Sequence, residues 1–340
     1  MEKTQDIFPD MKILKPYLAP YTRASTKKAI FQIVNSVIPY LALWGLMIWS
    51  LQYSYWITLG LAIIAALFLV RIFILFHDCG HNSLFPSKKT NQIVGFFLGV
   101  LVFTPSEQWW RSHAIHHASS GNLDKRGIGD VMTLTVDEYL SKSSIEKFGY
   151  RLFRHPLVMF LLGPIYMFLI SHRIPRPNLG KKETRFQIYH NLALLVVIVI
   201  MILAIGWKGY LIIQLPVIWM AGALGIWLFF LQHQFEGVYW AESSQWDYVS
   251  SALKGASYYE LPKWLQWFSG NIGFHHIHHL SPKVPNYYLE ECYKNGGVFQ
   301  KNVKKISFWE GFNSIGLDLI DIQNNRLIHF KDLKKPSVAN

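Results

Sequence analysis

The sequence predicts an all-α integral membrane protein. It would have about four long transmembrane helices in two hairpins, interfacial or re-entrant helices beside them, and a cytoplasmic helical cap. Three observations carry that prediction. Of 340 residues, 51% are hydrophobic and 16% aromatic against 16% charged, and the mean hydropathy is positive, a balance rare in a soluble chain of this length. Four apolar runs are each long enough to cross a hydrocarbon core of about 30 Å at about 1.5 Å per residue. After the last run, ending at Gln232, the chain turns polar and no further span follows.

Taken in order, the opening MEKTQDIFPDMKILKPY carries acidic residues and lacks the layout of a signal or transit peptide. The first membrane helix is therefore expected to direct insertion. Residues 1–29 read as a cytoplasmic N-terminal segment, 30–290 as the membrane domain with its cap, and 291–340 as a cytoplasmic tail. Runs 30–51 and 55–76 form the first hairpin, turning through residues 52–54. Runs 191–207 and 210–232 form the second, with Gly209 at the turn and Trp207, Lys208 and Tyr210 as interfacial anchors. Between the hairpins lie two weaker stretches. Residues 93–103 are too few to cross, and 156–170 are interrupted by Gly163-Pro164. Arg23, Lys27 and Lys28 precede the first run, and Arg173, Arg176, Lys181, Lys182 and Arg185 precede the third. By the positive-inside rule both sets are cytoplasmic, so the number of crossings between them is even. The two weak stretches then either both cross or both dip and return. The histidine-bearing loop between them must share a side with His77 if they bind one metal centre, so dipping is expected, with both termini on the cytoplasmic side.

The net charge of +12 does not point to nucleic acid, because the basic residues flank apolar segments instead of forming one stripe interleaved with aromatics. They read as topology signals and lipid-headgroup contacts. Two cysteines, Cys79 and Cys292, supply neither a disulfide framework nor a CxxC motif, as expected in a reducing compartment.

The histidines carry the chemistry. His77 and His81, in HDCGH, are four apart, which on a helix sets both imidazoles on one face. His113, His116 and His117 sit at i, i+3 and i+4, and His275, His278 and His279 repeat that spacing. One HxxxH alone reads as a pair of hydrogen-bonded interfacial residues. Eight of fourteen histidines in three short windows beside membrane helices read as a metal site. His233, at the same depth on the fourth run as His77 on the second, reads as a ninth ligand. Nine imidazoles exceed what one ion binds, so two metals are implied. With nitrogen ligands and no thiolate, iron is the natural candidate, and ligand type alone leaves manganese, zinc and copper open. Asp78, Asp130, Glu236 and Asp247 are candidates to orient the imidazoles through their other ring nitrogen.

The stretches HDCGHNSLF, WWRSHAIHHASSGNLDKRGIGD, QHQFEGVYW and GNIGFHHIHHLSPKVPNYYL resemble the membrane fatty acid desaturase and hydroxylase superfamily with its HxxxH, HxxHH and HxxHH boxes. Within it they are most similar to bacterial acyl-lipid desaturases, in particular the Δ5 phospholipid desaturases of Gram-positive bacteria. The resemblance spans roughly residues 71–289. It implies a di-iron centre held by the eight box histidines, with His233 supported by relatives that carry a lone histidine after the last span. It also implies O2 as co-substrate, a membrane phospholipid acyl chain as substrate, a ferredoxin or flavodoxin as electron donor, and a bacterial cytoplasmic membrane as location. No HPGG haem motif or spare length for a fused cytochrome b5 domain is present, so the reductant is expected to be a separate protein. Trp109, Trp110 and Phe274 lie next to boxes, where they could line an apolar tunnel for the acyl chain. The boxes alone do not separate desaturation from hydroxylation or ketone formation. A membrane metal transporter fits less well, because transporters hold their ligands at mid-membrane and these lie at one aqueous edge.

Overall fold

The computed structural model describes residues 10–175, 180–301 and 303–333. Arg176, one of the residues used to orient the chain, and the ends of both terminal segments lie outside them. A short helix, α1 (Met11–Leu18), precedes α2 (Thr26–Ser50) and α3 (Tyr55–Gly80), which pair as the first expected hairpin. Ser25 and Ser54 cap α2 and α3 through their hydroxyls. Small residues Ala62, Ala65 and Ala66 let α3 approach α2, and a 2.7 Å hydrogen bond between Ser50 and Thr58 closes the hairpin. Arg71, buried in α3, donates to the Ser36 hydroxyl at 3.0 Å and to the Trp267 carbonyl, so a charged side chain within the span has polar partners.

The next helix, α4 (Lys88–Leu101), has 14 residues, about 21 Å of helix, short of a crossing. It packs on α3 and leads into α5 (Ser106–Ser119). After α6 (Val136–Ser141) and α7 (Ser144–Arg154), residues 158–173 continue as α8 (Gly163–Ile165) flanked by π-helical turns, bent 63° from α7. That bend is the geometry of a broken span or re-entrant loop, at the place where the sequence shows Gly163-Pro164.

Helix α9 (Lys181–His233) has 53 residues, and unbroken it would measure about 80 Å. Both of its ends nevertheless lie on α5. Lys182 and Glu183 pair with Glu107 and Arg111 at 2.8 and 3.0 Å, and His233 reaches His116. The chain reverses at Gly206, whose φ of 74° and ψ of 156° are open only to glycine. The second hairpin is therefore present, but its turn is three residues earlier than the Gly209 the sequence indicated. Gly209 is helical, because the backbone reversal needs positive φ at one residue only and Gly206 supplies it.

The cap is not wholly helical, as the sequence had implied. Strands β1 (Leu134–Thr135), β4 (Leu319–Asp321) and β5 (Arg326–Ile328) form one small sheet, β1 parallel and β5 antiparallel to β4, and β2 (Tyr258–Glu260) pairs in parallel with β3 (Lys305–Ser307). Helices α10 (Tyr248–Lys254), α11 (Lys263–Phe268), α12 (His275–Leu280) and α13 (Asn286–Asn295) lie among them. Leu14 and Leu18 of α1 join Val249, Leu289 and Cys292 in one core cluster, so the chain's first helix packs on its last third.

Replacing Gly206 with alanine forces a side chain into a glycine-only conformation and should lower stability in detergent by about 1–3 kcal/mol. Gly209→Ala, where a Cβ meets only ordinary contacts with Ile205, should cost nothing and can stabilise by up to about 1 kcal/mol. Paired thermal unfolding curves check the placement of the turn.

Candidate metal centre

The boxes sit at helix ends on one level of the bundle. His77 is in the last turn of α3 and His81 is its C-cap; His233 is the last residue of α9; α5 and α12 run beside these ends. The structure brings all nine predicted histidines together in two groups, each able to offer one ligand nitrogen per residue within 4.8 Å of the others. One group holds His77, His81, His113, His117 and His278, the other His116, His233, His275 and His279. Helical spacing explains the division. On α5 the i, i+4 pair His113 and His117 faces the first group and His116 turns to the second. On α12 the i, i+4 pair His275 and His279 faces the second and His278 turns to the first. His276, passed over in the sequence reading, is buried against Tyr293 and belongs to neither.

Within the groups, Nε2 of His117 lies 3.1 Å from that of His113 and 3.0 Å from that of His278. Nε2 of His233 lies 3.1 and 2.9 Å from those of His116 and His275. Adjacent ligands held about 2.1 Å from one ion at a right angle stand about 3.0 Å apart, so these donor sets fit a metal. Buried Nε2 atoms of His81 and His279 have no hydrogen-bond partner among the described residues, again as ligand atoms would. Burial, followed by mutual repulsion of neighbouring imidazoles, holds His81, His113, His117, His275, His278 and His279 well below the usual histidine range. The rings are therefore neutral at pH 7, the form that coordinates a metal.

A second layer orients three rings. His77 Nδ1 meets Asp78 Oδ1 at 3.0 Å, and the other oxygen of Asp78 accepts from the backbone and side-chain nitrogens of Asn286 at 2.7 and 2.8 Å. Gln32 in turn donates to Asn286 at 2.8 Å. His116 Nδ1 bonds Asp130, carried by a loop whose Gly129 has φ +76° and lies so close to α5 that a Cβ would stand 2.7 Å from the Ser112 carbonyl. His233 Nδ1 donates to the Gly255 carbonyl at 3.0 Å. Two predicted members do not belong here. Asp247 is exposed and caps α10, accepting from Ser250 N at 2.7 Å, and Glu236 is exposed on the loop beyond His233. Nearness in sequence fails for both because the chain leaves α9 away from the histidines. Asn286 and Gly255 were missed, and their partners lie 208 and 22 residues away, so no local pattern announces them.

A cavity of about 420 Å³ opens from the centre into the bundle. Its floor includes His77, His113, His275 and Asp130; its walls come from α3, the second arm of α9 and the segment ending at His172. Trp109 lines it, stacked on His113 with ring centroids 4.6 Å apart. The other two predicted tunnel residues do not line it. Trp110 fills the space over Gly80 and Gly95 and donates its indole N–H to the Phe76 carbonyl at 3.1 Å, locking α5 to α3 and α4. Phe274 is stacked on Tyr258 at 4.6 Å in the core of the cap.

A family model for fatty acid desaturases matches residues 53–304, a range that contains all nine histidines. The chain belongs to the fatty acid desaturase family. A fatty acid desaturase of Bacillus subtilis (strain 168) is 45% identical to this desaturase over 335 residues, 98% of this chain and 95% of that one. More distant relatives include the sn-1 oleoyl-lipid 12-desaturase of Anabaena variabilis, 24% identical over 279 residues, 79% of this chain and 76% of that one. The sn-1 acyl-lipid omega-3 desaturase (ferredoxin) of Nostoc sp. (strain 36) is 25% identical over 235 residues, 64% of this chain and 61% of that one. The protein is thus an oxidoreductase that desaturates fatty acyl chains, with apolar helices that associate it with membranes and histidine clusters that form a metal site.

Removing the carboxylate charge in Asp78→Asn should lower metal affinity about 10–100-fold, as for other partners of ligating histidines. Asp247→Asn should leave the metal content of the purified desaturase unchanged. Metal analysis after dialysis against a graded chelator distinguishes the two sites.

Proposed function

We propose that this desaturase introduces a cis double bond, at Δ5, into an acyl chain esterified in membrane phospholipid. It would use O2, two iron ions held by the nine histidines, and electrons from a separate ferredoxin or flavodoxin. The observation that carries this reading is the apolar cavity that ends on both histidine groups. Nitrogen donors without thiolate suit iron. The overall change is –CH2–CH2– plus O2, two electrons and two protons to –CH=CH– plus two waters. What iron supplies when bound is the reduction of O2 coupled to hydrogen removal from unactivated carbon, chemistry that no side chain performs.

The chain's own residues do the rest. Five and four imidazoles hold the two positions at fixed separation, and Asp78, Asp130 and the Gly255 carbonyl keep His77, His116 and His233 from rotating. Trp109 and the walls of the cavity hold the acyl chain against the centre and exclude water. The names of the Anabaena and Nostoc relatives support a lipid-linked substrate and, for the latter, a ferredoxin donor. Lys182 bonds Glu107 on the helix that carries box two, so the basic stretch at the start of α9 supports a cytoplasmic position for the centre in a bacterial membrane.

Expression in a bacterial host lacking unsaturated fatty acids should yield new cis alkenes, with the double bond located by mass spectrometry and two irons per purified chain. Hydroxylated acyl products without alkene would overturn the reading. Alanine in place of any of the nine histidines should abolish the product while leaving the protein in the membrane, and an active His233→Ala variant would remove that residue from the set. With a reduced acidic ferredoxin as donor, turnover should fall as salt rises towards about 0.15 M, where the screening length is about 8 Å. Indifference to salt would count against an electrostatic donor complex.

A further inference from the structure

Two glycines of α9 face the cavity, and packing accounts for one of them. A Cβ on Gly222 would lie 2.9 Å from Phe168 and from Pro164, so its bareness lets the re-entrant segment close against α9. A Cβ on Gly225 would meet nothing within 4 Å. Glycine inside a helix is less stable than alanine by about 1 kcal/mol, and at Gly225 no close contact compensates.

Its place in the cavity gives the missing side chain a meaning. At about 100° per residue, the cavity-lining residues of α9 other than Ile226 fall in one stripe along the helix, with Gly225 at its centre. A side chain there would enter the bore, which Val70 and Phe73 of α3 also line. Gly225 lies eight residues before His233, about 12 Å along the helix, and the lining continues seven residues further, another 10 Å or so, to Ile218. Beyond Gly225 the α9 lining (Gly222, Ala221 and Ile218) is apolar, as are Leu69 and Val70 of α3. Of the polar lining, Ser112, Asp130 and Gln232 lie beside the metal-centre histidines, and His172, next to Phe168, is engaged with the Phe103 carbonyl. An ester group loses its hydrogen bonds in the deep part and keeps partners near the histidines, so the methyl end of a chain is the end that goes deep.

We propose that the bare position at Gly225 keeps the deep half of the cavity open to the methyl-terminal segment of the substrate and so sets the chain length this desaturase accepts. The proposal rests on an esterified acyl substrate, as inferred above. The test compares the wild type, Gly225→Ala, Gly225→Leu and, as a control on the exposed neighbouring position, Leu224→Ala. Each is expressed in a host lacking unsaturated fatty acids and supplied with lauric, myristic, palmitic or stearic acid, and alkene is measured at each length alongside metal content.

Leucine should depress stearoyl and palmitoyl desaturation at least about ten-fold relative to lauroyl, because the bore is overfilled. Alanine should shift the preference in the same direction by about two-fold, and Leu224→Ala should leave it unchanged. An unaltered length profile in Gly225→Leu, or an equal loss at every length with metal retained, overturns the proposal. If the leucine variant does not accumulate, the alanine variant decides, and a profile identical to the wild type overturns it. A wild type that makes no alkene from any chain overturns the proposed function instead.

Discussion

Nine imidazoles gathered at one end of a helical bundle, eight of them buried, are costly to hold together unless their ring nitrogens meet a cation. Each ring taken from water loses hydrogen bonds that the surrounding apolar helices cannot replace. Adding protons would set like charges side by side, which burial and proximity both oppose. Metal binding resolves both costs at once. The rest of the architecture follows from bringing nine nitrogens to two points. Two long helices, α3 and α9, end at the same depth; two short ones, α5 and α12, lie across them.

That arrangement needs parts far apart in sequence to agree in position. The cap provides the agreement through backbone contacts. Tyr259 N donates to the Gly273 carbonyl at 2.9 Å just ahead of α12, and β3 pairs with the same strand from the far end of the chain. Tyr248 donates its hydroxyl to the His279 carbonyl at 2.6 Å, tying α10 to the last turn of α12. Asn286 links α13 to Asp78 on α3, and Gln32 on α2 completes the chain of contacts. Strand β3 thus takes part in holding the third box, and α1 packs on the cluster that contains Ile277 and Leu280 of α12.

The cavity shows the same economy of parts. Its floor is the metal centre, and its walls are the faces that α3 and α9 would otherwise pack against each other. The re-entrant segment, held to α9 by close approach at Gly222 and by Trp219 donating to the Leu161 carbonyl at 2.9 Å, keeps the space from collapsing. A desaturase of unactivated carbons requires such a space, since the position of the reacting methylenes along the chain is decided by shape and by no functional group near them.

Much of this was legible in the sequence because it is local. Helix length follows from an apolar run, and the i, i+4 and i, i+3 spacing of the boxes follows from the helical repeat, so the spans and eight histidines stood out; His233 followed from matching depth. Asp78 and Asp130 were found by nearness to a box, and the same criterion brought in Asp247 and Glu236, which nearness alone cannot tell apart from them. Only the tertiary structure decided which histidine serves which group, that Asn286 and the Gly255 carbonyl support the centre, that the second hairpin turns at Gly206 and not at Gly209, and that Trp109 lines the cavity while Trp110 and Phe274 do not. The physical reason is range. Dihedral preference and helical periodicity act within a few residues, whereas a ligand set, its supporting hydrogen bonds and an empty bore exist only where segments hundreds of residues apart are packed to within an ångström.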